Sequence, residues 1–292
     1  MITVEMICFG NELLIGKTVN TNAYWLGKRL TALGAQLVRI TTVRDVLEEM
    51  VAVICEAIRR SPDFIITSGG LGPTFDDMAL EAIAKGTKQK LVLSEAALNL
   101  IQARLQELKD ERGITIPLTE NRKKMAMIPE GALCLRNRAG SAPGVLVSKG
   151  KIKIFALPGV PREMKTIFDH EVVPYFTANN HSRFYERSFL VNHIPESELA
   201  EAISPLRAQY PTIYFKTHPK STTTSSSKRI IEVEVHLTVI GSEEEEQKIL
   251  AAEQELLQIL RTMPATGEDK PKITSLLNDD NDGNDDNNVG DV

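Results

Sequence analysis

Residues 63–85, DFIITSGGLGPTFDDMALEAIAK, run from a short apolar stretch into a glycine cluster and out into a helical spacing of apolar residues. A strand that is apolar on both faces belongs inside a parallel sheet covered on both sides. Parallel strands cannot be joined by a tight turn; they need crossover connections, usually helices. This stretch therefore commits its part of the chain to an α/β architecture. Between strand and helix, Ser68-Gly69-Gly70-Leu71-Gly72 leaves the backbone bare, so amides can approach a ligand with no Cβ in the way. The start of the following helix presents unpaired N–H groups to an anion.

The flanking chain repeats the pattern. Strands are predicted at 4–9, 36–42 and 152–157. Helices are predicted after Asn22 (Leu26 and Leu30 inward, Gly34 the stop), at 46–60, 76–85 and 94–112, and within 162–172. From residue 187 the order changes to strand 187–193, helix 196–209 capped by Ser197, strands 212–217 and 229–240, and helix 243–263. That β-α-β-β-α order predicts a smaller α+β domain. Its strand RIIEVEVHLTVIG alternates, with Ile231, Val233, Val235, Leu237 and Val239 on the packed face. The Ser/Thr run after Pro219 is expected to be a hairpin loop whose flanks, Lys220 and Arg229, are solvated. The expected domains are 1–178 and 184–266, with 267–292 a disordered acidic tail.

That tail distorts the charge balance. The formal net charge is −5, but residues 279–292 hold six Asp and no Lys or Arg, and the remainder carries 34 basic against 33 acidic residues. A near-neutral body shows no nucleic-acid footprint. The tail lacks the closing Glu of a calcium loop. No apolar run approaches the ~18 residues needed to cross a membrane. The N-terminus lacks the features of an export signal, so a cytoplasmic protein is expected. Cys8, Cys55 and Cys134 are read as reduced thiols and the five histidines as structural or exposed. Trp25 is read as a packed aromatic.

Four loops carry the candidate chemistry. All lie where strands of the first domain end or just beyond, the edge at which open α/β sheets bind ligands. In the first, Asp76 is read as a helix N-cap and Asp77 as a catalytic or magnesium-holding residue. The second holds Asp45, whose plain reading is again an N-cap. The third, NRAGSAPGVLV, is a turn of small residues that includes Gly140 and Ser141. The fourth, ALPGVPREMKTIF, bends at Gly159 between Pro158 and Pro161 and leads to Glu163. The segment GNELLIGKT imitates a P-loop, but Gly10 is followed by five residues before Gly16-Lys17-Thr18, and its insert is largely apolar.

Five motifs, GNELLIG…VNTN, SGGLGPTFDDM, ENRKKMAMIPEGA, GSAPG and LPGVPREM, occur in this order. Through them residues 2–176 resemble the N-terminal domain of CinA proteins, within the MoaB/Mog superfamily of molybdopterin-binding proteins. Residues 186–263 resemble the KH-like middle domain of CinA. The resemblance implies an α/β, three-layer, mostly parallel sheet of MoaB/Mog type, followed by the KH-like α+β domain. By similarity to Mog proteins, Asp45 and Asp77 match two acidic positions implicated in adenylyl transfer. Gly69, Gly70, Gly72 and Thr74 match the phosphate-side loop, and Ser141, Pro158 and Gly159 the opposite rim. Glu12, Asn20 and Asn22 match a pocket wall; Asn11 stands where the family usually has Thr. Ser68, Gly140, Pro161 and Glu163 belong to the same loops and are counted as ligand-binding.

By similarity to CinA, the expected activity is cleavage of the pyrophosphate of ADP-ribose or a related compound with a divalent cation, magnesium or manganese, held by Asp77. One alternative is binding or adenylylation of molybdopterin in cofactor biosynthesis. Another is a non-catalytic nucleotide sensor or RNA binder, although the second domain shows no G-x-x-G clamp. No nicotinamide-nucleotide deamidase activity is implied. The expected ligand is a nucleotide or pterin, and the expected assembly a homo-oligomer, without nucleic acid or membrane.

Overall fold

A computed structural model describes residues 1–113, 115–178, 180–223, 229–264 and 271–276. The chain divides into two compact units, Met1–Ser182 and Arg183–Val292.

The first unit is built on a six-stranded sheet. In chain order its strands are β1 (Ile2–Phe9), β2 (Ala35–Val43), β3 (Phe64–Ser68), β6 (Leu133–Leu135), β7 (Gly144–Lys149) and β8 (Ile152–Leu157). A separate two-stranded ribbon pairs β4 (Leu91–Leu93) with β5 (Met127–Pro129). The sheet order is β2-β1-β3-β8-β7-β6, parallel from β2 to β8 and antiparallel at β7 and β6.

The helices of this unit are α1 (Asn11–Leu14), α2 (Thr21–Ala32), α3 (Leu47–Arg60), α4 (Ala79–Thr87), α5 (Glu95–Arg112) and α6 (Glu120–Lys124). They are followed by α7 (Pro161–Ile167), a π turn at Phe168–Val172, and α8 (Val173–Thr177). The period-two alternation of β1 divides the core. Val4, Met6 and Cys8 pack with Leu26, Leu30, Met164, Ile167 and Phe176 on one face. Ile7 and Phe9 pack with Met50, Ile54, Ile83 and Ile101 on the other. The result is the three-layer α/β arrangement, with β3 buried along its whole length. Trp25 meets Phe168 edge to face at 5.6 Å, as a packed aromatic does.

Several local expectations change. The helix expected from Asp76 begins at Ala79, because Thr74–Asp77 closes a turn of its own: the Asp77 amide donates to Thr74 O at 3.3 Å and Ala79 to Gly70 O at 3.1 Å. Asp76 is therefore not an N-cap; Met78 holds that place without a side-chain bond. The segment after Ser141, expected as a turn, becomes strand β7 from Gly144.

The second unit runs β9 (Arg183–Asn192), α9 (Glu196–Gln209), β10 (Tyr214–Thr223), β11 (Arg229–Gly241), α10 (Glu243–Thr262) and β12 (Lys272–Leu276). Its sheet is fully antiparallel in the order β10-β11-β9-β12. Val233, Val235, Leu237 and Val239 are buried as the alternation requires, while Ile231 is 40% exposed. Ser197 does not cap α9; Pro195 stands at that position, without a side-chain bond. Strand β10 continues through Thr223, so Pro219 to Thr223 are strand rather than loop, and Lys220 pairs with Glu234. Residues 272–276, expected within a disordered tail, add β12 to the free edge of β9, where Ile273 packs on the core. An unpaired edge offers backbone groups to any extended segment, which local composition does not reveal. The Asp-rich residues 279–292 lie outside the described residues.

Candidate functional site

The ends of β1, β2, β3 and β8 are tied together before any side chain reaches a ligand. Gly10 N donates to Val43 O at 3.2 Å and Gly69 N to Leu157 O at 3.0 Å. Gly69 has φ +105°, and a Cβ there would sit 2.6 Å from Phe9 O. Only glycine permits both that conformation and that approach. Ser68 Oγ donates to Pro158 O at 3.3 Å, and Asn22 Nδ2 donates to Ser68 Oγ at 2.9 Å and Gly159 O at 2.8 Å. The glycine turn after β3 and the Pro-Gly turn after β8 therefore lie side by side.

They open on a cavity of about 410 Å³. Of the expected residues, Glu12, Asp45, Gly69, Gly70, Gly72, Asp77, Ser141, Pro158, Gly159 and Glu163 line it. Phe9, Leu71, Met125, Ala142 and Val160 add apolar wall, and Asp76 joins the carboxylates. Six expected residues do not line it. Asn20 caps α2 by accepting from Ala23 N at 3.0 Å. Asn22 and Ser68 form the clasp just described. Thr74 binds the carboxylates from outside the wall. Gly140 belongs to a neighbouring cavity, and Pro161 is an exposed first residue of α7.

The carboxylates are held differently. Asp77 Oδ2 accepts from Thr74 N at 2.8 Å and from Thr74 Oγ1 at 2.5 Å. It lies over Gly72, where a Cβ would come within 2.5 Å of Oδ2. Asp45 does not cap α3, which starts from Val46 without a side-chain bond; its Oδ2 accepts instead from Asn11 N at 2.9 Å. Burial pushes the Asp45 carboxyl up, the Asn11 amide opposes this, and the neighbouring charges of Glu12, Asp76 and Asp77 push the same way as burial. Glu163 Oε2 accepts from Asn137 Nδ2 at 2.6 Å. Burial raises its carboxyl, while Asn137 and the Arg104 charge pull it down. A Cβ on Gly140 would fall 2.1 Å from Glu163 Cδ, so that glycine makes room for the carboxylate.

Two contributors escaped the sequence reading. Asn137 anchors Glu163 and also binds Ala142 O at 2.8 Å. Lys124 Nζ donates to Thr74 O at 2.6 Å, bringing a cation to the acidic turn. Both stand within motifs already singled out, NRAGSAPG and ENRKKMAMIPEGA, but spacing along the chain does not say that a loop from another element will meet them.

Glu12, Asp45, Asp76 and Asp77, four of the five carboxylates on this cavity, are hard oxygen donors of the kind that suit a cation. Among the described residues, no group of three or more His, Cys, Asp or Glu is placed to hold a metal ion by itself. The donor chemistry suits magnesium, which commonly uses one or two carboxylates together with phosphate oxygens of the ligand. No helix among the described residues is long and apolar enough to cross a membrane.

Residues 5–178 match the family profile described as "Probable molybdopterin binding domain". A protein of Metallosphaera sedula is 47% identical over 223 residues, which cover 76% of this chain and 82% of that relative. A protein of Sulfurisphaera tokodaii is 40% identical over 257 residues, covering 88% and 93%. Among solved structures, one titled as the protein CinA with unknown function from Thermoplasma acidophilum is 41% identical, with a TM-score of 0.50, covering 57% of this chain and 94% of that one.

Proposed function

The chain belongs to the family of "Probable molybdopterin binding domain" proteins, and from that premise we propose that its first unit is a metal-dependent nucleotide pyrophosphatase acting on ADP-ribose or a related adenosine diphosphate compound. The observation that carries this reading is the joining of a glycine turn without side chains and a set of carboxylates in one cavity. Glycine-turn amides suit phosphate oxygens. Carboxylates suit a cation bridging them and the activation of water.

Water attacks one phosphorus, the bridging P–O bond breaks, and AMP and a ribose phosphate leave. Asp77, already fixed by two hydrogen bonds from Thr74, is the group we assign to accept the proton of the attacking water. Asp45 and Glu12 line the same cavity, where they would help hold a magnesium ion whose charge offsets that of the diphosphate. The Gly70 amide would orient phosphate oxygens, and the apolar residues Phe9, Leu71, Met125 and Val160 suit a base or sugar face.

A second reading, binding or adenylylation of molybdopterin, is favoured by the family description. We read the second unit as KH-like in element order and do not assign it RNA. Incubation with ADP-ribose and magnesium should yield AMP and ribose 5-phosphate, resolved by chromatography. No product, with transfer of AMP to molybdopterin instead, would replace the first reading by the second.

A further inference from the structure

Beside the cavity of the glycine turns lies a smaller one of about 220 Å³, between α5 and the loop that precedes β7, and Ser141 lines both. Its chemistry is the reverse of its neighbour's. The larger cavity is walled by carboxylates. The smaller carries two guanidinium groups, Arg104 and Arg136, with Glu107 between them. Glu107 accepts from Arg104 Nη1 at 2.9 Å and from Arg136 Nη2 at 2.8 Å. These contacts hold its carboxyl below the usual range. Glu111 stands 3.7 Å from Arg104 Nη1.

Each guanidinium has five N–H donors in a flat fork, far more than Glu107 takes up. The Arg104 side chain is only 11% exposed, and its Nε is buried with no acceptor. An unmade hydrogen bond on a buried charged donor is costly. Arg136, at 54% exposure, stands where an incoming anion would meet it. Leu100, Ala103 and Pro143 supply the apolar part of its lining.

We propose that this second cavity receives the phosphate-bearing sugar half of the ligand, while the adenosine half occupies the carboxylate-lined cavity, and the inference rests on the pyrophosphatase reading. The guanidinium forks take phosphate oxygens in paired fashion, as arginine does. Glu107 accepts from sugar hydroxyls, and the apolar lining covers the ring's CH face. The diphosphate crosses at Ser141, common to both cavities. Asn137 couples them further, because it lines the smaller cavity and bonds Glu163 of the larger.

Binding of ribose 5-phosphate and of AMP to the full chain, measured by calorimetry, separates the two halves. Arg136→Ala should weaken ribose 5-phosphate by about tenfold, the usual worth of a charge-assisted bond, and leave AMP unchanged. Arg104→Lys, which keeps the charge but loses the fork, should do the same without loss of fold. No binding of ribose 5-phosphate, unchanged binding in both variants, or equal weakening of both ligands overturns the proposal. ADP-ribose hydrolysis by the same preparation reports separately on the pyrophosphatase reading. If hydrolysis is absent while ribose 5-phosphate binding still depends on Arg136, that reading falls and the anion site stands.

Discussion

The Asp77 carboxylate occupies the space that a side chain on Gly72 would fill, and Thr74 holds it there from two sides. Its position is therefore built by its neighbours. Asp77→Asn preserves an acceptor of the same size and should leave the melting curve nearly unchanged. A general base is worth about 10²–10⁴ in rate, and AMP release should fall by that much; full activity would remove Asp77 from the mechanism. Glu163 makes a different test. Burial raises its carboxyl in the folded chain, so the folded state holds the proton more tightly than the unfolded one. Its contribution to stability is present below the unfolded carboxyl range and is lost as pH climbs through the raised folded value. Glu163→Gln removes that loss while still accepting from Asn137. The variant should melt higher than the parent near neutral pH, and the gap should close at about pH 4. Melting scans across that range check it; a gap that widens on acidification would contradict the sign.

At the scale of elements, the site depends on how three segments are fastened. Asn22 sends its amide both to Ser68 at the end of β3 and to Gly159 in the turn after β8. Asn22→Ala leaves the buried Ser68 hydroxyl and the part-buried Gly159 carbonyl without that donor and should cost about 1–3 kcal/mol in denaturant titration. It should also weaken AMP binding, since both turns line the cavity. The sequence had placed Asn22 on a pocket wall; in the fold it stands behind the wall and sets its shape. The glycine turn after β3 was legible because bare backbone after a buried strand has few other uses. The start of α4 was not, because the Thr74–Asp77 turn competes with the helix for the same groups. Strand β7 was hidden behind Pro143 and Gly144, which signal a turn until the antiparallel partner β8 is in place.

The molecule as a whole divides its tasks: every residue lining the two cavities belongs to Met1–Ser182. Damage confined to the second unit should leave the site alone. Ile273→Asp places a charge where β12 packs on the second core and should cost that unit about 1–3 kcal/mol. AMP binding by the first unit should not change; a parallel loss would show that the units are energetically coupled. The amino-acid order determined the strand–helix alternation, the covered parallel sheet and the position of the glycine turns, because hydrophobic period and backbone freedom are local properties. It also nominated the loops that carry carboxylates. Only the tertiary structure decided which carboxylates share a cavity, that Asn20 caps a helix, that Asn137 grips Glu163, and that 272–276 completes a sheet. Those outcomes rest on contacts between segments far apart in the chain, and a side chain's neighbours across such distances are fixed by packing.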